Sequence, residues 1–398
     1  MLSKRIVSTM LAVLAVSASL HAQEFKVLDR TVQVHGFGAQ GFVYTSGNNW
    51  LTMNSNDGSP GWTEMGLNMS TQITDKLRIG AQVYDRNLGQ LGQYHPTFDW
   101  GFADYKFKSW LGVRGGKVKT TLGLFNDTQD LDFLRTFALL PQGMYPLDLR
   151  DSDIAHTGGD IYGKVPLGAK RGSLAYTGYV GHRNDGIYSA LALFLQTHDV
   201  ETWTVNYGGL QFGGDLRWKT PIKGLLIGAS RLEENITGNY YQAGIGPAWE
   251  KSAQWDWTNQ FYGEYAWHNL RVDAEDKRYF RDHIIRNGTS EDKDDIRSWY
   301  IAGSYQLTKR ISAGTYYSHY TITSSDNGLT DTSQPNAHDF DKVVSGKVDI
   351  NRFWNVKVEG HFIDGYAFGP YPNGFYPQQN PTFAPTTKAL VMKTSFNF

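Results

Sequence analysis

The chain has 398 residues and contains no cysteine. This absence excludes disulfide-stapled scaffolds, cysteine-ligated zinc sites and thiol nucleophiles. An excess of one charge is also missing, because 38 lysine and arginine residues balance 39 aspartate and glutamate residues. A nucleic-acid-binding protein needs a clustered cationic surplus to neutralise phosphates, so we expect no nucleic acid among the partners.

Long hydrophobic runs are missing beyond residue 22. The longest apolar stretches there, such as 190–195, last six residues, whereas a membrane-spanning helix needs about 18 or more. The mean hydropathy of −0.44 likewise argues against a bundle of membrane helices. If this part of the chain enters a membrane, it must do so as a closed β-barrel, because only a barrel pairs all backbone polar groups without continuous apolar sequence.

The first 22 residues have the pattern of a secretory signal peptide. A positively charged start at Lys4 and Arg5 precedes a mostly apolar stretch, and Ala22 offers a small residue for cleavage. This order is typical of export signals, with a membrane anchor as the alternative. We therefore predict a cleaved signal peptide over 1–22. Since no later region shifts in composition, we predict a single domain over 23–398.

Apolar and polar residues alternate with period two in many later segments, which is typical of strands with two unlike faces. The clearest examples are 63–73, 77–86, 210–218, 270–275, 354–362 and 390–398. The last of these ends on Phe398, and its terminal aromatic after alternating apolar residues resembles the assembly signal of outer-membrane barrels.

The connections between these segments alternate in length. Short turns are predicted at 74–76, 108–110, 166–172, 220–224, 268–269, 308–310 and 351–353. Long polar stretches rich in glycine or proline are predicted at 46–61, 87–97, 126–157, 181–206, 233–253, 280–296, 322–337 and 365–385. Seven turns join fourteen strands, and one strand at each end brings the total to sixteen. The sequence therefore predicts an all-β fold, a transmembrane antiparallel β-barrel of about 16 strands with short turns on one side.

Aromatic residues are abundant, with 23 tyrosines, 21 phenylalanines and 12 tryptophans, and this excludes intrinsic disorder. Tryptophans lie beside the predicted short turns at 110, 218, 267 and 354, and near the opposite strand ends at 62, 255 and 299. Rings at both strand ends predict the two interfacial girdles of a membrane barrel. The alternative is that they are core aromatics of a secreted β-protein.

One motif carries a family resemblance. The segment Gly-Phe-Ala-Asp-Tyr at 101–105, followed by Gly-Gly-Lys-Val-Lys-Thr-Thr-Leu-Gly-Leu-Phe-Asn at 115–126, resembles Gram-negative outer-membrane porins. The resemblance is strongest to the branch that contains phosphate-selective and related porins, although Thr121 replaces the usual proline. It implies that the third external loop folds inward and narrows the pore. It also implies a homotrimer that contacts outer-membrane lipid and lipopolysaccharide.

Charged residues around this motif form the candidate site. On strands three to five the inward-facing candidates are Arg78, Arg86, Lys106, Arg114, Lys117 and Lys119. In the third loop they are Asp127, Asp130 and Asp132, with Arg135 close by. Cations on the wall facing carboxylates on the loop would create a transverse field. Lys117 and Lys119 share a face opposite to Arg114, so all three point inward only if the motif's glycines form a bulge.

These features predict a water-filled outer-membrane channel for passive diffusion of small hydrophilic solutes and ions. It would have no enzymatic activity, no cofactor and weak ion selectivity. The alternative is a substrate-specific porin for sugars or small organic or inorganic anions. In that case Tyr84, Tyr300, Tyr316 and Tyr320 could form a stacking track, although they could equally pack against the infolded loop.

Two other classes stay open. An outer-membrane hydrolase could be built around His319 with Ser318 or Ser324, but neighbours in a strand point to opposite faces. A secreted, glycan-binding β-protein is the other. The 11 histidines are scattered, so we expect no catalytic metal. The acidic loops 54–58 and 291–295 lack the ordered ligand spacing of calcium sites, although calcium binding there stays open.

Overall fold

The computed structural model describes residues 23–27, 30–196, 202–242, 246–291, 293–325, 328–367, 374–377 and 379–398. The predicted signal peptide lies outside these residues. The strands are β1 (Gln23–Val27), β2 (Arg30–Ser46), β3 (Ser59–Gln72), β4 (Leu77–Leu88), β5 (Thr97–Lys108), β6 (Leu111–Lys119), β7 (Ala155–Gly168), β8 (Gly172–Asp185), β9 (Thr202–Lys219), β10 (Leu225–Gln242), β11 (Gly246–Ser252), β12 (Asp256–Trp267), β13 (Leu270–Arg281), β14 (Ile284–Arg286), β15 (Thr289–Glu291), β16 (Asp294–Gln306), β17 (Ile311–Ser325), β18 (Gly328–Leu329), β19 (His338–Asn351), β20 (Trp354–Gly365) and β21 (Thr386–Asn397).

Sixteen of these strands form one closed antiparallel barrel. They are β2 to β10, β12, β13, β16, β17, β19, β20 and β21, and each pairs with the next along the chain. The barrel closes where β2 pairs with β21, from Phe37 opposite Asn397 to Ser46 opposite Lys388. The short strands β11, β14, β15 and β18 extend the long-loop ends, and β1 pairs with β2. The predicted all-β, 16-stranded antiparallel barrel is confirmed.

The predicted turns also fall where the structure has them. The short connections between barrel strands are 73–76, 109–110, 169–171, 220–224, 268–269, 307–310 and 352–353. All of the other connections between neighbouring barrel strands are longer. Turn residues and period-two alternation are local properties of the chain, which is why they could be read without knowing the partners of each strand.

Apolar side chains cover the outside of the barrel, and charged ones face its interior. On β20, Val358 and Phe362 are 45% and 51% exposed, whereas Lys357 and Glu359 on either side of Val358 are both 0% exposed. This is the reverse of a soluble β-protein, in which the apolar face is buried. The alternation therefore gives the barrel an outer surface suited to lipid.

Tryptophans are exposed near both ends of the barrel. Trp110, Trp218 and Trp267 lie close to the short turns, and Trp255 and Trp299 lie near the opposite ends, all with exposed rings. Trp62 departs from the predicted girdle because it is only 1% exposed. It faces inward on β3, where its ring packs over Gly41, and the Lys393 ammonium lies 4.3 Å from the ring centroid.

In the part of the chain that the structure describes, helical structure is confined to short pieces in the connections. Two short α-helices occupy Arg150–Asp153 and Ala190–Gln196, and single 3₁₀ turns occupy Ser55–Asp57, Asn126–Thr128 and Asp132–Leu134. Among the residues described, no helix has the length and apolar character needed to cross a membrane.

Several long connections share a small apolar core at one end of the barrel. Trp50 and Leu51 from the β2–β3 connection pack with Phe375 and Tyr376 from the β20–β21 connection and with Leu149 from the β6–β7 connection. The Leu51 N–H also donates to the carbonyl of Gly374 at 2.8 Å. These connections are therefore held together by side-chain packing, although they have little regular structure.

The barrel wall predicts different costs for two glycine substitutions. A Cβ at Gly209 on β9 would overlap the backbone carbonyl of Asn235 on β10, whereas a Cβ at Gly303 on β16 meets nothing within 4 Å. We expect Gly209→Ala to lower the free energy of unfolding by about 1–3 kcal/mol, because two paired strands must move apart. Gly303→Ala should leave it unchanged. Urea titration of the refolded barrel measures both, and equal midpoints for the two variants would contradict the close approach of β9 and β10.

Candidate functional site

The connection between β6 and β7, residues 120–154, makes an unusual set of contacts with the barrel interior. Among the described residues it hydrogen-bonds to side chains on at least eleven of the sixteen barrel strands, namely β4, β5, β6, β7, β9, β10, β12, β13, β19, β20 and β21. We call residues 120–154 the inner segment. Because its partners lie around most of the circumference, the inner segment determines what space is left inside the barrel.

Glu275 on β13 anchors the start of the inner segment. Its carboxylate accepts hydrogen bonds from the Leu124 backbone N–H at 3.0 Å and from the Tyr145 hydroxyl at 2.7 Å. It also accepts from the Tyr300 hydroxyl at 2.7 Å and from the Gln260 side-chain amide at 2.7 Å. A carboxylate has about four acceptor sites, so this buried group is fully used.

Glu359 and Lys357 on β20 anchor the middle of the inner segment. The Glu359 carboxylate accepts from the backbone N–H groups of Ala138 at 2.6 Å and Leu139 at 3.1 Å. The Lys357 ammonium donates to the Asp132 carboxylate at 2.7 Å and to the Phe137 carbonyl at 2.9 Å. These two inward-facing charges therefore satisfy backbone groups that lie outside any helix or sheet.

Asp130 is the centre of a third anchor. Lys119 donates to it at 2.6 Å and Arg150 at 2.8 Å. The Arg150 guanidinium also makes a two-fold contact with Asp99 on β5, at 2.9 and 3.0 Å, and its centre lies 3.8 Å from the Tyr84 ring centroid. Burial alone would raise the pKa of Asp130, but the charges of Arg150 and Lys119 outweigh it and hold that pKa well below its usual range.

Asp132 is held in the same way from the other side. Its carboxylate accepts from Lys357 and from the Ser395 hydroxyl at 2.6 Å, and Lys393 lies 3.6 Å away. Burial opposes ionisation here too, but the nearby lysines keep the pKa of Asp132 well below its usual range. Asp130 and Asp132 are therefore in contact ion pairs, and neither faces a cation across an open gap.

Two more of the predicted residues contact the inner segment or lie in it. Arg86 on β4 is buried and donates to the Leu147 carbonyl at 2.6 Å and to Asp151 at 2.7 Å. Arg135 donates to the carbonyls of Thr128 and Gln129, which belong to its own segment.

Asp127 is less enclosed than the other predicted carboxylates. Its side chain is 30% exposed, and its carboxylate lies 3.5 Å from the Arg217 guanidinium of β9. Arg217 itself pairs more closely with Asp215 at 2.9 Å and donates to the Gly123 carbonyl. Asp127 therefore keeps contact with solvent.

Within the described part of the chain, the structure shows no hydrogen bond or ion pair from four of the predicted wall cations to the inner segment. Arg78 and Lys106 are exposed and lie near the short turns, and Arg78 donates to Ser70 at 3.0 Å. Arg114 pairs with Asp104 at 3.0 Å, and Lys117 donates to the Phe98 carbonyl at 2.8 Å. The fourth, Lys117, lies on the strand face opposite to Arg114.

The register explains the position of Lys117. The pairing of β6 with β7 runs without a shift from Gly112 to Lys119, so Gly115 and Gly116 form no bulge there. The register shifts in this region lie instead in β5, at Lys106–Lys108 where it pairs with β6 and next to Asp99 where it pairs with β4. The shift next to Asp99 leaves that residue buried, where it meets Arg150.

The tyrosines considered for a stacking track are all buried. Tyr84, Tyr300, Tyr316 and Tyr320 are between 2% and 4% exposed. Tyr316 packs edge-on against Phe137 of the inner segment at 5.2 Å. This geometry favours packing against the inner segment over an open track for sugar rings.

The hydrolase arrangement is not assembled either. Ser318 is buried and faces the interior, whereas His319 lies on the other face of β17 and stacks between Trp299 and Phe340 at 5.3 and 4.4 Å. Within the described ranges, no group of three or more histidine or acidic side chains is placed to hold a metal ion.

One buried carboxyl in the inner segment should make stability depend on pH. Asp148 is 0% exposed and accepts from the Tyr376 hydroxyl at 2.7 Å. Burial raises the pKa of Asp148 to about 6, and the Tyr376 hydrogen bond and the Arg86 charge offset only part of that effect. Between pH 4 and 6 the folded protein keeps a proton that the unfolded chain has lost, so the free energy of unfolding falls as pH rises.

We expect Asp148→Asn to remove that fall, which amounts to at most about 3 kcal/mol. Asp130 and Asp132 have lowered pKa values, so their contribution has the opposite sign and is confined to the low end of this window. Urea unfolding midpoints at several pH values between 4 and 7 measure the effect, with Asp75→Asn in an exposed short turn as the control. An equal slope for Asp148→Asn and the unsubstituted protein would contradict it.

No protein-family model matches the chain, and no curated protein matches its sequence. The outer membrane protein OmpT of Vibrio cholerae is similar in structure, with a TM-score of 0.55 and 12% identity over 95% of this chain and 100% of that one. OmpF of Salmonella typhi gives a TM-score of 0.56 and 11% identity over 94% and 100%.

An anion-selective porin from Comamonas acidovorans gives a TM-score of 0.54 and 10% identity over 93% of this chain and 100% of that one. At such identities the likeness shows the fold. The chain therefore has the porin fold, a closed antiparallel barrel of sixteen strands.

Proposed function

We propose that the protein is an outer-membrane porin, a water-filled channel for passive diffusion of small hydrophilic solutes and ions. The observation that carries the proposal is the closed barrel with apolar side chains outside and charged side chains inside. A barrel of 16–18 strands is wide enough to enclose an aqueous channel. The similarity to proteins described as porins and outer membrane proteins supports it. The proposal includes no enzymatic reaction and no cofactor.

The proposed setting follows from the same surface. The exposed apolar bands and tryptophans would contact outer-membrane lipid and lipopolysaccharide, after export through the periplasm and removal of residues 1–22. A homotrimer is proposed from the sequence resemblance, and a trimer form of OmpT from Vibrio cholerae is among the similar structures. Membership of the branch with phosphate-selective porins stays a prediction.

We further propose that the inner segment is the predicted third loop, folded into the lumen, and that it sets the narrowest gap. Its hydrogen bonds to interior side chains on at least eleven strands support this. The contact ion pairs of Asp130 and Asp132 neutralise charge on both sides of the segment. Weak ion selectivity is therefore expected.

Single-channel recording in a planar bilayer tests the channel itself. Purified, folded protein should give discrete, ohmic conductance steps in KCl. Protein that shows the heat-dependent gel mobility of a folded barrel but gives no steps would overturn the proposal.

Asp127 should affect ion selectivity more than Asp130 and Asp132, the other two predicted carboxylates of the third loop. It is more exposed than either of them and shares Arg217 with Asp215. We expect Asp127→Asn to shift the reversal potential toward anion selectivity, by a small fraction of the about 59 mV that a tenfold salt gradient gives an ideally selective channel. Asp75→Asn at a short turn should leave the potential unchanged. An equal potential for Asp127→Asn and the unsubstituted channel would remove Asp127 from the conduction path.

Glu359 should control the position of the inner segment. In Glu359→Gln one acceptor oxygen becomes an NH₂ group that faces a backbone N–H, which leaves a buried donor unpaired at a cost of about 1–3 kcal/mol. We expect the segment to loosen, so that single-channel conductance rises or becomes noisy. Glu264→Gln is the matched control, because Glu264 pairs with Arg271 and not with the segment. Identical traces for both variants would show that the Glu359 contacts do not set the gap.

A further inference from the structure

An open cavity of about 70 Å³ lies between the inner segment and the barrel wall. Its wall includes Thr258, the third residue of β12, and Tyr279, close to the end of β13. Both lie toward the strand ends that continue into long connections. The cavity is therefore on the long-loop side of the inner segment, where a solute entering the proposed channel from that side would arrive first.

Two charged groups of opposite sign line this cavity without pairing with each other. Asp153, at the end of the inner segment, is partly exposed, and in the described part of the chain its carboxylate has no ion pair or hydrogen bond. The Lys277 ammonium on β13 donates to the Met144 carbonyl at 3.1 Å. The carboxylates whose negative charge attracts it are those of Asp153, Glu275 and Glu234. An ammonium has three donors, so Lys277 can bind a further acceptor.

The remaining charges in the cavity wall are already paired. Arg183 contacts Glu234 at 3.1 Å and Asp185 at 2.9 Å, and all three side chains are buried. These groups fix the electrostatic environment but are not available in the way that Asp153 and Lys277 are. Among the described residues, the cavity thus presents one carboxylate without a partner and one ammonium with donors to spare.

Apolar side chains make up much of the remaining lining. Leu122 and Leu149 come from the inner segment, and Leu232 and Ile296 come from β10 and β16, each less than 10% exposed. A solute that carries only charge would leave this surface uncovered. A sugar would present no charge to Asp153 or Lys277, and a single ion would satisfy one of them and leave the other unpaired.

We propose that this cavity binds small zwitterions with an apolar side chain, namely apolar α-amino acids and short peptides, as they pass through the channel. The proposal rests on the proposed channel function. The ammonium of the solute pairs with Asp153, its carboxylate pairs with Lys277, and its side chain covers the leucine and isoleucine surface. Charge-assisted hydrogen bonds of both signs supply the selectivity for zwitterions.

The experiment uses three probes of equal side chain: leucine, N-acetylleucine, which lacks the ammonium, and leucinamide, which lacks the carboxylate. Each is added to the bilayer chamber while single-channel current is recorded, and equilibrium dialysis of the folded protein in detergent measures binding without any current. We expect saturable, partial block by leucine, with half-maximal concentrations at least about tenfold higher for both analogues. Dialysis should give the same ranking.

Two variants test which protein side chain binds the ammonium of the solute and which binds its carboxylate. Asp153→Asn should weaken the binding of leucine and of leucinamide and leave the binding of N-acetylleucine unchanged. Lys277→Gln should weaken the binding of leucine and of N-acetylleucine and leave the binding of leucinamide unchanged. Asp75→Asn and Lys223→Gln, both at exposed short turns, are the matched controls.

Two failures are distinguishable in this design. Equal affinity for leucine and both analogues, or unchanged leucine affinity in both variants, would overturn the zwitterion site while ohmic conductance steps leave the channel intact. Absence of conductance steps would overturn the channel, whereas leucine binding in dialysis would still report on the cavity.

Discussion

The closed ring of backbone hydrogen bonds is the constraint on which the rest of this molecule depends. An unpaired N–H or C=O group costs several kcal/mol in hydrocarbon, so a barrel proposed for a membrane must join its first and last strands. Here β2 and β21 close the ring over ten paired residues, from Phe37 to Ser46. Closure with period-two alternation then sends one set of side chains outward and the other inward. The separation of apolar and charged surfaces follows from that geometry.

The charged side chains that face the barrel interior also bind backbone groups of the inner segment. A connection of this length with almost no regular structure leaves many N–H and C=O groups unpaired, and buried ones must find partners. Glu275 and Glu359 accept from the N–H groups of Leu124, Ala138 and Leu139, while Lys357 donates to carbonyls. Charges of both signs on the interior wall are therefore what a segment with exposed backbone requires. Their pairing also removes most of the field that unpaired charges would create.

The sequence predicted the barrel well because the relevant information is local. Alternation predicted which side chains of β20 face the barrel interior, and turn residues predicted the number of strands. The interior was less predictable, because its contacts join distant residues. Asp132 meets Lys357, 225 positions away, and Ala138 meets Glu359, 221 positions away. Alternation places Lys357 and Glu359 on the interior face, but nothing local identifies their partners.

Irregular backbone was also beyond local prediction. The glycines of the porin-like motif suggested a bulge in β6, but the register shifts lie in β5, near Lys106–Lys108 and beside Asp99. A bulge depends on how two strands pair, and the sequence of one strand does not determine that. The shift beside Asp99 buries that residue and places it against Arg150, which no periodicity indicated.

The anchor of the inner segment and the proposed solute site share one strand. Glu275 and Lys277 are two positions apart on the same face of β13, so one holds Leu124 and Tyr145 while the other holds the Met144 carbonyl. Because an ammonium can donate to three acceptors, Lys277 could bind a solute carboxylate without releasing Met144. Occupancy of the cavity would then leave the inner segment in place. A bound zwitterion should therefore block the channel and should not widen it.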